Sequence, residues 1–375
     1  MSAPTNGQKK IRTIVITGGP CGGKTTAMSW LQNALTSAGY AVIFLTETFT
    51  ELANGGISSY NCKDNFAFQR IQVRYQLERE RLYRRAAEAL ANDNVVIVHD
   101  RGSMDDKPYM TPEEFAAILK ELEQDEVSFR DKYDAVFHLV TAAKGAEQFY
   151  TLANNAARYE TVEEAVRVDD GLITSWTGHP HLRVIDNRYD FQGKMMALIT
   201  EISAFLGEPR PLETRRKYLI RIPDTEELER RPNCCRVEIL QAYLRSAIPG
   251  EMIRIRQRGR DGHYLYYKTR KQLIDGKRIE LEERMTKDEF FELLAQADPE
   301  YRPIRKERYC LSENGLYYNI DIYPQWQDQA LMEIELYGGE EKVDYPQGIE
   351  IIREVTGEEA FTNPAIARIP MPDAQ

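Results

Sequence analysis

No stretch of this 375-residue sequence is apolar for long enough to cross a bilayer as a helix, and Met1–Lys10 carries no apolar signal core. The expectation is a soluble, cytoplasmic chain without a transmembrane segment. Cysteine is scarce and odd in number, and Cys21, Cys62, Cys234, Cys235 and Cys310 form no C-x-x-C pair. That excludes a disulfide framework and a cysteine-based zinc site, and fits free thiols in a reducing compartment. Positive charge is in deficit: the formal net charge is −10, which speaks against a nucleic-acid partner. Net charge does not describe a pocket, however, and local basic clusters can still hold polyphosphate. Internal repeats and low-complexity tracts are lacking too, which excludes a repeat array.

What is present has the texture of two folded domains, since the length exceeds one ordinary core. In the first part, candidate strands at Arg12–Thr17, Ala41–Thr46, Val95–His99, Ala135–Val140 and Leu182–Ile185 alternate with helices. Two helix starts carry capping boxes, Thr111-Pro112-Glu113-Glu114 and Thr161-Val162-Glu163-Glu164. Short apolar strands separated by helices predict a mainly parallel sheet covered on both faces, with ligands at the carboxyl ends of its strands. The stretch GEPRP (Gly207–Pro211) ends the last helix and breaks the pattern. Beyond it charges recur at every second residue, which predicts strands. The expected fold class is α/β followed by β: a phosphate-loop parallel α/β domain over 1–208, then an antiparallel β-barrel over 212–370.

Ile16–Thr26 reads ITGGPCGGKTT and contains G-x-x-x-x-G-K-T, with a strand before it and a helix after it. Gly18, Gly19, Pro20, Cys21, Gly22 and Gly23 would turn tightly and aim backbone N–H groups at phosphate oxygens. The helix that starts near Lys24, Thr25 and Thr26 adds further N–H donors and the positive end of its dipole. Lys24 would reach the β- and γ-phosphates of ATP or GTP, and the Thr25 hydroxyl would face Mg²⁺ or Mn²⁺. A guanine-reading N-K-x-D is not present, but this class of loop does not depend on one.

The apolar strand NVVIVHD ends in Asp100, which can hold the metal or its water shell opposite Thr25. Asp105 follows in the same loop and can either support the site from behind its metal-holding residues or orient a substrate. Glu47 ends the second strand, where a carboxylate can take a proton from a substrate hydroxyl or orient water; a solvent-facing loop acid is the plainer alternative. Arg158 and Arg167 flank a helical lid region, and Arg158 is the candidate for steadying charge on the transferring phosphoryl group. On the long helix that begins near Asp64, Arg70 is the arginine best placed to face the crevice.

In the second domain, alternation groups charges by strand. Arg254, Arg256 and Arg258 align, as do Tyr264, Tyr266 and Lys268; so do Glu280 with Glu282, Lys306 with Arg308, and Glu333 with Glu335. A sheet with one wet face gives alternation as well, yet strands of a single sign repel unless an opposite charge lies between them. A closed barrel with this face inward would hold polyphosphate on Arg254, Arg256, Lys268, Lys306 and Arg308. It would hold a metal on Glu280, Glu282, Glu333 and Glu335.

The motifs VITGGPCGGKTT and Asp100-Arg101-Gly102…Asp105, with the helical lid, resemble the AAA-type phosphate-loop domain of nicotinamide riboside kinases and of the TRPL translocation defect protein. The kinases imply a nucleoside-like acceptor, and the second relative implies GTP binding and hydrolysis. From Leu212 to Pro370 the spacings resemble the CYTH, or triphosphate tunnel, domain. Its opening motif E-x-E-x-K here reads Glu213-x-Arg215-x-Lys217. Arginine cannot coordinate a metal, so the resemblance implies anion binding more firmly than metal-dependent hydrolysis. The leading expectation is a Mg²⁺-dependent nucleoside triphosphatase whose second domain binds a phosphorylated small molecule, polyphosphate or anionic lipid headgroup. A small-molecule kinase with Glu47 as base, and a triphosphatase acting in the tunnel, are the alternatives.

Overall fold

The computed structural model describes residues 9–149, 161–208, 215–274, 277–313, 315–335 and 345–369. The chain forms two compact units, Met1–Thr200 and Glu201–Gln375. Among the described residues, no helix is long and apolar enough to cross a membrane.

The first unit follows the order β1 (Lys10–Thr17), α1 (Lys24–Ser37), β2 (Ala41–Leu45), α2 (Thr48–Asn54), α3 (Asn65–Ala89) and β3 (Asn94–Asp100). A 3-10 segment at Ser103–Tyr109 leads to α4 (Pro112–Glu121), α5 (Glu126–Asp131), β4 (Ala135–Leu139), α6 (Val162–Trp176), β5 (Leu182–Ile185) and α7 (Phe191–Phe205). The five strands lie side by side as β2-β3-β1-β4-β5, all parallel. Runs such as Ile14, Val15 and Ile16 of β1 and Val96 and Val98 of β3 are fully buried, because helices cover both faces of the sheet. The capping boxes at Thr111 and Thr161 form: each hydroxyl accepts from the N–H three residues on, and each glutamate answers the threonine N–H.

Strand register places the chemistry. Ile16 lies beside Asp100, and Leu45 lies beside His99. The ends of β1, β2 and β3 therefore deliver the loop after Thr17, the residue Glu47 and the residue Asp100 to one edge.

The second unit contains β6 (Arg215–Arg221), α8 (Thr225–Arg230), β7 (Cys234–Leu244), β8 (Met252–Arg260), β9 (His263–Ile274), β10 (Lys277–Met285) and α9 (Lys287–Leu294). It continues through β11 (Ile304–Glu313), β12 (Leu316–Ile322), β13 (Gln329–Glu335), β14 (Ile351–Glu354) and α10 (Asn363–Ala367). Its nine strands form one antiparallel sheet ordered β10-β9-β8-β7-β11-β12-β13-β6-β14. Among the described residues β10 and β14 are the sheet's two ends and do not pair with each other. One face is apolar, built from Tyr218, Ile220, Tyr309, Tyr318, Ile320 and Met332 among others. The opposite face carries charge.

Trp176, at the end of α6, is fully buried and donates from Nε1 to Asp105 Oδ1 at 2.7 Å. Trp176→Ala is expected to cost about 3–5 kcal/mol of unfolding free energy, as large cavities do. Urea unfolding of the purified variant measures this, and a loss under about 1 kcal/mol would contradict the role given to the indole.

Candidate phosphate site and cationic face

The loop between β1 and α1 runs hard against the end of β4. A Cβ at Gly18 would lie 2.1 Å from the Leu139 carbonyl oxygen, and φ there is +143°. A Cβ at Gly19 would meet the Asp169 carboxylate at 2.8 Å. Cys21 takes a left-handed φ of 56° and Gly23 one of 95°. Gly23 is the N-cap of α1 and offers no side chain, so the first turn keeps its N–H groups available to an anion. Thr25 and Thr26 are exposed on that turn.

Lys24 Nζ donates to the Gly18 and Gly19 carbonyls at 2.7 and 3.1 Å. Burial, with the Arg101 charge next in weight, pulls its pKa down to about 8 against Asp100 and Glu47, which raise it. Burial pushes the Asp100 carboxyl up against the pull of Lys24. Asp100 Oδ1 is buried and has no hydrogen-bond partner. Glu47, at the N-cap of α2, receives Arg101 Nε at 2.5 Å and the Thr50 hydroxyl at 2.6 Å. Burial works to raise its pKa, but Arg101, Thr50 and Lys24 together hold it below the ordinary value. In this arrangement Glu47 is a weak base, bound to a guanidinium.

Asp105 is engaged structurally rather than aimed at a substrate. It accepts from the Thr17 hydroxyl at 2.6 Å, from Trp176 and from the Gly102 N–H at 3.0 Å. Arg70, expected to face the crevice, instead pairs with Glu121 at 2.9 Å on the exposed side of α3. Arg167 is mostly exposed and lies 4.0 Å from Glu164. Arg158 lies outside the described residues.

Two groups of side chains escaped the sequence reading. Asp169, on α6, is fully buried and holds the loop in place. Its Oδ1 accepts from the Gly19 N–H at 2.9 Å and the Thr141 N–H at 3.0 Å, and meets His138 Nε2 at 2.9 Å. Its Oδ2 takes Lys144 Nζ at 2.8 Å. Burial would raise this carboxyl, but His138 and Lys144 drive it well below the usual range. The available signal was position: Asp169 falls on the buried stripe of α6 between Ala165 and Leu172.

The second group lies on α3, where Gln69, Gln72, Gln76 and Arg79 recur at helical spacing and are all buried. Gln76 Nε2 donates to Glu80 and to the Arg101 carbonyl, and Arg79 donates to Thr46 and Thr48. Gln72 Nε2 donates to Asp106 Oδ1. Gln69 Oε1, Gln72 Oε1, Asp106 Oδ2 and one Arg101 terminal nitrogen are buried without a partner. Each such group costs about 1–3 kcal/mol to leave unsatisfied. A cavity of about 460 Å³ lies elsewhere in this unit, lined in part by Lys107, Tyr109, Thr111, Glu164 and Arg167, and touches none of the loop residues.

On the second unit's charged face the acids are tied to cations. Glu282 takes Arg256 at 3.1 Å and the Thr269 hydroxyl at 2.7 Å. Asp321 takes Lys306 at 2.6 Å and Arg308 at 2.7 Å. Glu333 takes Lys217 at 2.8 Å, and Glu280 pairs with Lys271 at 2.9 Å. Burial would raise the Glu333 carboxyl, but Lys217, Arg308 and Arg215 hold it far below its ordinary value. Burial pulls Lys306 down to about 8, against the raising influence of Asp321.

Among the described residues no three His, Cys, Asp or Glu side chains are placed to share an ion, and Glu213 and the Glu335 side chain lie outside the described residues. Lys268 is a correction. It registers with Ile255 and Glu283, whereas Thr269 registers with Arg254 and Glu282. Lys268 therefore points to the face packed by α9, because one residue's shift along a strand reverses its side.

Residues 13–194 match the model of the AAA domain family. The match lies within the first unit. No curated protein matches the chain. Among solved structures, an inorganic triphosphatase is 24% identical over 42% of this chain and 100% of its own, with a TM-score of 0.31. Thymidylate kinase from Candida albicans is 16% identical over 51% of this chain and 90% of its own, with a TM-score of 0.39. A protein from Pyrococcus horikoshii OT3 is 22% identical over 32% of this chain and 79% of its own, with a TM-score of 0.24.

The Lys24 ammonium in the P-loop gives a pH test. With its pKa lowered to about 8 in the free protein, it is charged below that pH and neutral above it. Nucleotide affinity is expected to hold between pH 6.5 and about 8, then to weaken by up to ~10-fold per pH unit. Titration with a fluorescent nucleotide from pH 6.5 to 9.5 checks this; a flat profile would contradict it.

Proposed function

We propose that the first unit binds a nucleoside triphosphate with Mg²⁺ and breaks the bond to its γ-phosphoryl group. The observation that carries this is the convergence of Lys24, the open first turn of α1 and Asp100 at the ends of two adjacent parallel strands. The residues fit a magnesium ion, which takes one or two protein oxygens and fills its shell with water and phosphate. Asp100, through its unpartnered buried Oδ1, and the exposed Thr25 hydroxyl would hold it. Bound there, the ion would neutralise charge between the β- and γ-phosphates. Water is the acceptor in the plainer version of this reading, and a small hydroxyl compound in the other.

Lys24→Ala is expected to lower phosphate release from ATP or GTP at least ~100-fold, since a cation at the γ-phosphate is worth several kcal/mol. Its melting temperature should stay near that of the unsubstituted chain. Turnover within tenfold of that chain would remove Lys24 from the site.

For the second unit we propose binding of a phosphorylated or polyphosphate ligand without any need for metal. Its charged face joins Arg254, Arg256, Lys306 and Arg308 with acids already paired to them, and the Nε atoms of Arg254 and Arg256 are buried and unpartnered. Acids held this way are poorly disposed to gather two ions, which disfavours the triphosphatase alternative. Tripolyphosphate should bind the full chain in excess EDTA, and Arg256→Ala should weaken it by ~10- to 100-fold, as lost charge-assisted contacts do. Binding that appears only when Mg²⁺ or Mn²⁺ is added would reverse this assignment.

A further inference from the structure

The buried polar stripe of α3 lacks a structural purpose at one end. Helix faces that pack on a sheet are ordinarily apolar, yet Gln69, Gln72, Gln76 and Arg79 are 5%, 7%, 5% and 8% exposed. The later pair is accounted for: Gln76 reaches the Arg101 carbonyl and Arg79 ties α3 to Thr46 and Thr48. The earlier pair is not. Gln69 and Gln72 each keep an unpartnered amide oxygen, and Asp106, which Gln72 contacts, keeps an unpartnered carboxyl oxygen.

These groups belong to the neighbourhood of the phosphate site. Arg101 and Glu47 both act electrostatically on Asp106, and the same two residues act on Lys24. One terminal nitrogen of Arg101 is likewise unpartnered, while its Nε is committed to Glu47. Resting on the reading of the first unit as a site that breaks a γ-phosphoryl bond, we propose that Gln69, Gln72 and Asp106 form the pocket for the phosphoryl acceptor. That acceptor is a small uncharged alcohol presenting N–H or O–H donors at the end away from the reacting hydroxyl.

The chemistry of the pocket sets this class. Two amide oxygens and a carboxyl oxygen call for hydrogen-bond donors on the ligand. Burial, with Asp105 adding to it against Gln72, pushes Asp106 up to about 7, so near neutral pH its free oxygen is divided between an accepting carboxylate and an uncharged acid. The Arg101 charge is matched by Glu47, which leaves little attraction for an anionic acceptor. Both a nucleoside and a polyol present such donors together with a free hydroxyl.

In the transfer, the acceptor's hydroxyl oxygen forms a bond to Pγ as the bond from Pγ to the β–γ bridging oxygen breaks. The electron pair of that bond stays with the nucleoside diphosphate. The hydroxyl proton leaves late, to the Glu47 carboxylate, and a loose transition state does not require a stronger base.

The test incubates the full chain with γ-labelled ATP or GTP and Mg²⁺ at saturating probe. One arm holds ribonucleosides and the other holds inositol and hexoses, with phosphorylated product followed against free phosphate. A phosphorylated product in either arm is expected, and the arm identifies the source. Gln72→Leu should raise the acceptor KM at least tenfold while the nucleotide KM stays within twofold. Gln69→Leu should act in the same direction and decides the matter if Gln72→Leu does not fold. Free phosphate alone with every probe, or an unchanged acceptor KM in both variants, would overturn the pocket while leaving nucleotide cleavage standing. Failure of the unsubstituted chain to bind either nucleotide would overturn the underlying reading, and this one with it.

Discussion

The phosphate loop depends on a contact that tolerates no side chain: the Gly18 backbone lying on the Leu139 carbonyl at the end of β4. Because β1 and β4 are neighbours in a parallel sheet, both strands end at the same edge, and the chain must turn there without a Cβ. Asp169 completes the restraint from the side of α6, accepting the N–H groups of Gly19 and Thr141 together. A buried carboxylate is costly unless paired, and this one has His138 and Lys144. The loop's shape is thus fixed before any ligand arrives, which is what a backbone anion site requires. Lys24, left to bond the loop's own carbonyls, is held within it and needs only to exchange those partners for phosphate oxygens.

The two units handle buried charge in opposite ways. On the nine-stranded sheet, cations and acids neutralise one another across strands, as in Lys306–Asp321–Arg308 and Lys217–Glu333. Such pairs cost desolvation on both sides and add little net stability. Their retention on one face fits a surface in which anions on a ligand substitute for anions of the protein. At the phosphate loop the balance is looser. Asp100 and Asp106 are both held above the ordinary carboxyl value, and each keeps an oxygen without a partner. Unsatisfied groups of this kind are where binding energy is stored rather than where stability comes from.

Elements written in local patterns could be read from the sequence. The five strands of the first unit emerge as short apolar runs, and the capping boxes at Thr111 and Thr161 mark real helix starts. The phosphate loop and the acid ending β3 are also local, so Lys24, Thr25 and Asp100 can be named from spacing alone. Asp169 cannot, because its bond to Gly19 spans 150 residues and nothing near either residue announces the other. The glutamines of α3 went unseen for a different reason. Arginine draws attention on a helix that carries many, yet Arg70 bonds Glu121 on the surface while the uncharged Gln69 beside it turns inward. In the second unit, alternation was legible, but the phase of β9 was not. The charge at 268 looked inward, and the ladder instead turned Tyr267 and Thr269 to the charged face beside Arg256 and Arg254.

The pair Glu47–Arg101 joins these observations. Arg101 takes a left-handed φ of 68° and its N–H bonds the Ile16 carbonyl, so the residue continues the β1 edge directly beyond Asp100. From that position its guanidinium lowers the pKa of Lys24 and holds Glu47 ionised. Its carbonyl meanwhile receives Gln76 from α3. One residue thus touches the electrostatics of the phosphate loop, the candidate base and the polar stripe. A γ-phosphoryl group arriving beside Lys24 would compete with Glu47 for the guanidinium, and any weakening of that pair returns basicity to the carboxylate. Glu47 would then gain proton affinity when the phosphoryl donor is in place and lose it when the site is vacant.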